Sequence, residues 1–240
     1  MKGVILAGGL GTRLATLTRI TNKHLLPVYN QPMIFYPIRT LVDAGVRDLM
    51  VVTGGNNTAD FPRFLGNGKS FGLRHLTFAN QKGEGGIADA LRLAKDFSES
   101  ENIIVMLGDN IVQKSIRRSV TGFKRGARIF LKAVPNPRSY GVPEFKGGRI
   151  INIVEKPKHP KSKYAVVGIY IYDVSVFDII RTLKPSARGE LEITDVNNAY
   201  LRRGELHHKI LDGWWADAGG SPEQLLHTGL LVARQSGIHL

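Results

Sequence analysis

A chain of 240 residues is long enough for one large α/β domain or two small ones. It has no cysteine, which excludes disulfide bonds, thiolate catalysis and a zinc ribbon, and which fits a reducing cytoplasm. Its 33 Lys and Arg residues against 20 Asp and Glu residues give a formal net charge of +13, which either keeps the chain in solution or attracts anions such as nucleotides and sugar phosphates. The basic residues are scattered, so we expect no nucleic-acid partner. No apolar stretch is long enough to span a bilayer, so we expect no membrane partner.

The first predicted strand, residues 4–7, runs directly into a glycine-rich loop that reads Gly8-Gly-Leu-Gly-Thr-Arg13. Glycine lets the backbone take positive φ and approach a ligand, consecutive amides form a nest for an anion, and Arg13 offers a planar fork of donors to phosphate oxygens. The loop lacks the third glycine of a dinucleotide-binding fingerprint, where Leu14 stands, and it has no Walker Gly-Lys-Ser/Thr. From the residues alone, a phosphate-binding loop and a glycine turn without a ligand both stay open.

After the loop, hydrophobic periodicity and breaker residues divide the chain into alternating elements. In chain order we predict a helix over residues 32–44, a strand over 49–53, a helix over 58–65, a strand over 76–79, a helix over 86–97, a strand over 103–107, a basic amphipathic stretch over 115–124, a strand over 127–134, a loop over 135–138, a hairpin over 142–154, a strand over 166–172, helices over 175–183 and 191–203, a strand over 206–211 and a closing helix over 222–236. The first helix is expected to start at Gln31-Pro32, because proline suits a first turn.

This alternation predicts an α/β fold with a doubly wound, mostly parallel sheet. Ligands in such folds bind beyond the carboxyl ends of the strands. Gly8, Gln81 and Asp109 each follow the end of a predicted strand, so we expect them to line one crevice. The less regular region from about residue 135 to residue 210 is expected to form a substrate-binding lobe inserted into the sheet.

Two aspartates are candidate ligands of a divalent cation. Asp109 follows a buried strand beside Gly108, where a ligand can come close, and Asp217 lies in Trp215-Ala-Asp-Ala-Gly219. Magnesium takes oxygen ligands and commonly uses only one or two carboxylates of the protein. An Asx turn explains either position equally well from the pattern alone.

A set of motifs spread over nearly the whole chain resembles the sugar-1-phosphate nucleotidyltransferases, and most closely the short-form glucose-1-phosphate thymidylyltransferases (dTDP-glucose pyrophosphorylases). The motifs are Ala7-Gly-Gly-Leu-Gly-Thr-Arg13, Lys23 ahead of Leu25-Leu-Pro27, Pro32-Met33, Leu107-Gly-Asp-Asn110, Tyr140-Gly-Val142, Val154-Glu-Lys-Pro157, Tyr164-Ala-Val166 and Gly189-Glu-Leu-Glu-Ile-Thr-Asp195. The resemblance implies a single Rossmann-like nucleotidyltransferase domain over residues 1–240. Its nucleotide-binding part is expected at about 1–134 plus 212–240, and its inserted sugar-binding lobe at about 135–211.

The resemblance also implies the reaction: magnesium-dependent transfer of a nucleotidyl group from dTTP to glucose 1-phosphate, giving dTDP-glucose and pyrophosphate. Its partners are then a nucleoside triphosphate and a sugar 1-phosphate. A uridylyltransferase or another pyrophosphorylase of nucleoside diphosphate sugars is the alternative, and a non-catalytic nucleotide-sugar binding protein is a more distant one. The oligomeric state, including a homo-oligomer, is open. Longer relatives carry further C-terminal helices, so we expect this chain to lack the allosteric nucleotide site that goes with them.

Site residues carry over onto the matching positions of this chain. The implied catalytic residues are Arg13, Lys23, Asp109 and Lys156; the nucleotide-binding residues are Ala7, Gly8, Gly9, Gly11, Thr12, Arg13, Gln81, Gly86 and Asp109; the sugar-phosphate residues are Tyr140, Gly141, Glu155, Lys156, Val166 and Arg188; and the magnesium ligands are Asp109 and Asp217. The chain departs from the expected pattern at residues 82–85, His24, Asp89 and Ala218. The departures at residues 82–85, His24 and Asp89 leave the choice between thymine and uracil open, while Ala218, where Thr is common, affects only a local hydrogen bond beside Asp217.

Overall fold

The computed structural model describes residues 1–14, 16–55 and 57–238. The strands in these ranges are β1 (Lys2–Ala7), β2 (Pro27–Val28), β3 (Gln31–Pro32), β4 (Asp48–Thr53), β5 (His75–Asn80), β6 (Ile103–Leu107), β7 (Asn110–Val112), β8 (Ala127–Ala133), β9 (Gly141–Lys146), β10 (Arg149–Glu155), β11 (Tyr164–Tyr172), β12 (Leu206–Ile210) and β13 (Trp215–Asp217). The helices are α1 (Phe35–Asp43), α2 (Asp60–Leu65), α3 (Ile87–Arg92), α4 (Lys95–Ser98), α5 (Arg117–Thr121), α6 (Val176–Thr182), α7 (Ile193–Arg202) and α8 (Pro222–Gln235). None of the helices in the described ranges is long and apolar enough to cross a membrane.

A seven-stranded sheet with the order β12-β8-β11-β6-β1-β4-β5 forms the centre of the molecule. Strand β11 pairs antiparallel with both β6 and β8, and the other neighbours pair in parallel. The sheet is therefore mixed but mostly parallel, which confirms the predicted fold class. The carboxyl ends of β1, β4, β5 and β6 lie at one edge of this sheet.

The central strands β1, β4 and β6 are buried on both faces because helices pack against each side of the sheet. Along β1 the side chains of Val4 and Leu6 enter one core cluster, and those of Ile5 and Ala7 enter the other. The first cluster contains residues of α3, α6 and α7, and the second contains residues of α1 and α2. A strand covered on two sides reads as a continuous apolar run rather than an alternating one, which is why residues 4–7 were recognisable.

The helix predicted over residues 32–44 begins later than expected. Gln31 and Pro32 form β3 and pair with Pro27 and Val28 of β2, so they are extended rather than helical. Helix α1 starts at Phe35. The helix predicted over residues 86–97 is also interrupted, because Ala94 has a ψ of 4° and separates α3 from α4.

The region predicted as a lobe contributes to two parts of the fold. The predicted hairpin is confirmed: β9 and β10 pair antiparallel, with Arg149 opposite Lys146. It is attached to α7 through Asn198, whose Nδ2 donates to the Ile153 carbonyl at 2.8 Å and whose Oδ1 accepts from the Ile153 amide at 3.0 Å. Strands β11 and β12 belong to the central sheet. The division into a nucleotide part and a sugar lobe stays a prediction.

Candidate active site

A cavity of about 370 Å³ opens at the carboxyl ends of the parallel strands. Gly8, Gln81 and Asp109 follow β1, β5 and β6, and all three line it, as the strand pattern predicted. The other predicted site residues that line the cavity are Gly9, Arg13, Lys23, Gly86, Tyr140, Gly141, Glu155, Lys156, Val166, Arg188 and Asp217. Residues from both ends of the chain thus meet in one crevice.

Three residues of the glycine-rich motif lie apart from the cavity lining. Ala7 is buried in the core beneath the sheet, and Thr12 is exposed at the start of a short 3₁₀ turn. Gly11 is needed for the shape of the loop: its φ is +65°, and a Cβ atom there would lie 2.9 Å from Thr18 Cγ2. Their predicted role in nucleotide binding stays a prediction.

Asp109 is buried and forms an ion pair at the base of the crevice. Lys23 Nζ lies 2.6 Å from Asp109 Oδ2, with both side chains almost excluded from solvent. Asn110 Nδ2 donates to the other carboxylate oxygen, Oδ1, at 2.9 Å. Burial alone would raise the pKa of Asp109, but the Lys23 charge and these hydrogen bonds outweigh it and hold the pKa below its usual range. The carboxylate is therefore charged.

Strands β7 and β13 bring the second aspartate to the first. The two strands pair antiparallel, with Asp217 opposite Asn110, and the Ala218 amide donates to the Asp109 carbonyl at 2.9 Å. Gly219 then lies between the carboxylates. Its amide donates to Asp217 Oδ1 at 3.2 Å, and a Cβ atom on Gly219 would lie only 2.5 Å from Asp109 Oδ2. Only a residue without a side chain fits between these two groups.

The two carboxylates suit a divalent cation. Burial raises the pKa of Asp217 to about 6, and the nearby negative charge of Asp109 adds to the rise. Two buried carboxylates that repel one another gain most from a cation placed between them. Across the described ranges, no cluster of three or more His, Cys, Asp or Glu side chains forms a metal cage. The donors that the pair offers are carboxylate oxygens, the ligands that hard divalent cations take.

Two residues at the base of the crevice, Asn110 and His24, were given no role by the sequence reasoning. Asn110 Oδ1 accepts from the Gly168 amide at 3.0 Å and from Trp215 Nε1 at 2.7 Å, so it ties β11 and β13 to the loop that carries Asp109. His24 is fully buried beneath Gly108, and its Nδ1 lies 2.9 Å from Asn22 Oδ1. Burial and the neighbouring Lys23 lower the pKa of His24 to about 3, so its ring is neutral. The only signal in the sequence was that Asn110 and His24 adjoin predicted site residues.

The opposite wall of the crevice comes from the hairpin and α7. Glu155 Oε2 accepts from Thr194 Oγ1 at 2.5 Å, and burial raises the pKa of Glu155. Lys156 has a φ of +44°, in the left-handed region that non-glycine residues seldom adopt. Tyr140 packs edge-on against Trp215 with ring centroids 5.3 Å apart, and burial raises its pKa to about 12. The wall thus offers a carboxylate, a cation and an aromatic ring.

Arg188 is held by carboxylates in this wall. Its Nη2 lies 2.8 Å from Glu192 Oε2, 3.3 Å from Glu190 Oε2 and 3.7 Å from Glu155 Oε1. The guanidinium is therefore well placed to organise this cluster of acids. Its role toward a phosphate stays a prediction.

The chain is similar to known proteins over nearly its whole length. The sequence profile of the family described as nucleotidyl transferase matches residues 2–233. The chain belongs to the nucleotidyl transferase family. A glucose-1-phosphate thymidylyltransferase of Actinoplanes sp. is 46% identical over 225 residues, which cover 91% of this chain and 74% of that protein. One of Mycolicibacterium smegmatis is 45% identical, with 91% and 78% covered.

Solved structures show the same nucleotidyl transferase fold. A protein of Bacillus anthracis, provisionally named a glucose-1-phosphate thymidylyltransferase and solved with a sucrose, has a TM-score of 0.92 and 48% identity, covering 100% of this chain and 97% of that one. A UDP-glucose pyrophosphorylase solved with UDP-glucose has a TM-score of 0.87 at 22% identity, with 98% of each chain covered, and so shows a shared fold.

This nucleotidyl transferase places the Gln81 amide beside the glycine-rich loop. A Cβ atom added to Gly8 would lie 3.1 Å from Gln81 Oε1. Gln81 Nε2 donates to the Gly86 carbonyl at 3.1 Å and to Asp89 Oδ2 at 2.9 Å. Gly86, which also lines the cavity, has a φ of +92° at the start of α3, and a Cβ atom there would lie 2.7 Å from the Leu191 carbonyl oxygen.

Proposed function

We propose that this nucleotidyl transferase moves a thymidylyl group from dTTP to glucose 1-phosphate, with magnesium, and releases dTDP-glucose and pyrophosphate. The proposal rests most on one observation: the chain is 42–46% identical, over most of its length, to proteins named glucose-1-phosphate thymidylyltransferase. The crevice supports it because phosphate-binding, cation-binding and sugar-binding chemistry lie side by side. We expect the enzyme to work in the cytoplasm.

In this reaction a phosphate oxygen of the sugar phosphate attacks the α-phosphorus of the triphosphate in line, and pyrophosphate departs. The protein mainly supplies position and positive charge. Asp109 and Asp217 would hold a magnesium ion, which supplies positive charge to neutralise the phosphate oxygens. The amides of Gly8 and Gly9 face the phosphates, and Arg13 and Lys23 bind the triphosphate and the departing pyrophosphate.

The opposite wall would hold the sugar phosphate. Lys156 contacts its phosphate, while Glu155, fixed by Thr194, accepts hydrogen bonds from sugar hydroxyls. Tyr140, Gly141 and Val166 shape the space around the ring, and Arg188 keeps the acidic cluster in place beside it. A buried, hydrogen-bonded carboxylate favours sugars that carry the matching hydroxyl group. A sugar that lacks this hydroxyl leaves the carboxylate without a hydrogen-bond donor and binds more weakly.

The test is a substrate panel. Purified protein is incubated with magnesium and with each pairing of dTTP, UTP, dCTP, ATP or GTP with glucose 1-phosphate or another sugar 1-phosphate, and pyrophosphate is measured. We expect the highest rate with dTTP and glucose 1-phosphate. A higher rate with UTP at equal concentration would make the protein a uridylyltransferase instead. Tight binding of dTDP-glucose with no turnover of any pair would make it a nucleotide-sugar binding protein.

Replacing Lys156 with alanine should weaken the use of glucose 1-phosphate more than the binding of dTTP. The loss of one charge-assisted contact predicts a rise in KM for the sugar phosphate of roughly 10- to 100-fold. Alanine has the same difficulty with positive φ as lysine, so the substitution leaves the strain of the backbone unchanged. Steady-state kinetics with each substrate varied in turn measures the effect.

The matched control is Lys158→Ala, because Lys158 is an exposed lysine two positions further on that does not line the cavity. We expect wild-type kinetics from it. An equal loss toward both substrates in Lys156→Ala would contradict the role assigned to Lys156.

A further inference from the structure

The Gln81 side chain is held in one orientation by two groups that can only accept hydrogen bonds. Nε2 donates to the carbonyl oxygen of Gly86 at 3.1 Å and to the Asp89 carboxylate at 2.9 Å. Neither acceptor has a hydrogen to offer, so the NH₂ end of the amide must face them. Both N–H groups of Gln81 are then used inside the protein, and the carbonyl oxygen Oε1 is left to face the glycine-rich side of the crevice.

The Asp89 carboxylate can reach Gln81 because residue 85, which lies against it, is a glycine. A Cβ atom on Gly85 would lie 2.5 Å from Asp89 Oδ2, the same oxygen that accepts from Gln81. The second oxygen of Asp89, Oδ1, accepts from Arg92 Nη2 at 2.7 Å, which fixes the carboxylate from the outside. Gly85 and Asp89, both departures from the expected sequence pattern, therefore act together on one contact.

We propose that Asp89 is a positioning residue that fixes Gln81 as a hydrogen-bond acceptor and so selects bases with a ring N–H over cytosine. Thymine and uracil carry a hydrogen on N3, which can donate to Gln81 Oε1. Cytosine has an unprotonated N3, so it would place one acceptor against another. The inference rests on the proposed function, since it takes the nucleotide base to lie against Gln81.

A glutamine whose amide can rotate freely discriminates poorly between thymine and cytosine. When the amide turns over, it presents the Nε2 donor to the base in place of the Oε1 acceptor. Turning Gln81 in this protein would leave its donors without the Asp89 and Gly86 acceptors and would place Oε1 against two oxygen atoms. Without Asp89 only the Gly86 carbonyl opposes the rotation. The preference for thymine over cytosine should therefore fall when the Asp89 acceptor is lost.

The experiment measures the dissociation constants of dTTP and dCTP, with magnesium, for the full-length protein and three variants. Asp89→Ala should reduce the preference for dTTP by roughly 3- to 10-fold, the effect of one hydrogen bond, with kcat at saturating dTTP close to wild type. Asp89→Asn, combined with Arg92→Ala so that the guanidinium no longer competes for the single amide oxygen, should keep most of the preference, because that oxygen can still accept from Gln81. Gly85→Ala retains Asp89 but displaces its carboxylate, and it should behave like Asp89→Ala.

Asp96→Asn is the matched control, because Asp96 is an exposed aspartate in the first turn of α4, outside the cavity lining. An unchanged preference in a folded Asp89→Ala protein, or equal losses in Asp89→Ala and in Asp89→Asn combined with Arg92→Ala, would overturn the inference. So would a wild-type protein that binds dCTP as tightly as dTTP. A wild-type protein that binds dTTP selectively but releases no pyrophosphate would overturn the proposed reaction and leave the inference about Asp89 standing.

Discussion

Replacing Asp109 with asparagine is expected to lower turnover on the order of 10³-fold or more, with little loss of fold. Asparagine keeps the shape of the side chain, and its amide oxygen can still accept from Lys23 Nζ, which lies 2.6 Å from the carboxylate, while its NH₂ group gives up the hydrogen bond from Asn110 Nδ2. The substitution removes the negative charge, and with it a strong ligand for a divalent cation at the phosphates. It also relieves the repulsion between Asp109 and Asp217, which offsets part of the lost ion pair with Lys23, so we expect the protein to stay folded.

Pyrophosphate release at saturating dTTP and glucose 1-phosphate measures this effect, and thermal unfolding followed by circular dichroism checks the fold. Asp212→Asn makes the same chemical change at an exposed position outside the cavity lining and should match wild type in both measurements. Wild-type turnover by Asp109→Asn at limiting magnesium would contradict the assignment of Asp109 to the cation.

Replacing Gly219 with alanine is the second large expected effect, with a loss of turnover of about 10²-fold. The added methyl group would lie 2.5 Å from Asp109 Oδ2, so the carboxylate must move away from Lys23 or from Asp217. Gly219 does not have a positive φ, so alanine brings no backbone strain there. The substitution therefore tests the arrangement of the two carboxylates without removing either one.

Gly229→Ala supplies the control for this variant. Gly229 lies in α8, where the nearest atom to an added Cβ would be the Tyr29 amide nitrogen at 3.6 Å, an ordinary contact. Alanine in a helix stabilises by about 0.5–1 kcal/mol relative to glycine, so this variant should unfold at a slightly higher temperature than wild type. We expect it to be fully active. If Gly219→Ala were equally active, the close packing of the two aspartates would have no part in the reaction.

The central strands could be predicted because their physical signal is local. Residues 103–107 are an apolar run rich in β-branched side chains, and all but the last are buried between two helical layers. The place of Gly8, Gln81 and Asp109 in one crevice followed from the same signal, since parallel strands end at the same edge of a sheet. The positions of these three residues could therefore be predicted without knowing which ligand the crevice binds.

Short elements that depend on distant partners could not be predicted. Strands β7 and β13 have three residues each, which is too short for a periodic pattern of apolar residues. Each is extended because it pairs with the other, with Asp217 opposite Asn110. Residues 93–94 contain no glycine or proline to mark the break between α3 and α4. The start of α1 was placed too early because the pairing of Gln31 and Pro32 with β2 is a tertiary effect that proline's preference for a first turn did not reveal.

The roles of individual site residues came from the resemblance rather than from local physics. A Glu-Lys pair such as Glu155-Lys156 usually lies on the surface with both charges in water. Nothing in the local sequence predicts that the Glu155 carboxylate is buried or that Lys156 has a positive φ. The hydrogen bond from Thr194 to Glu155 joins positions 39 residues apart. Arg188 also came from the resemblance, but its contacts with Glu155, Glu190 and Glu192 were not predicted.

The pairing of β7 with β13 has a consequence for how the enzyme is made. Trp215 Nε1 bonds to Asn110, a partner 105 positions earlier, and Asp217 arrives by the same pairing. A growing polypeptide on the ribosome therefore exposes the glycine-rich loop and Asp109 long before the second aspartate has been synthesised. Nascent chains can begin to fold around β1 and β6 while they still lack one of the two aspartates of the proposed cation site, so that site can be completed only after Asp217 has left the ribosome.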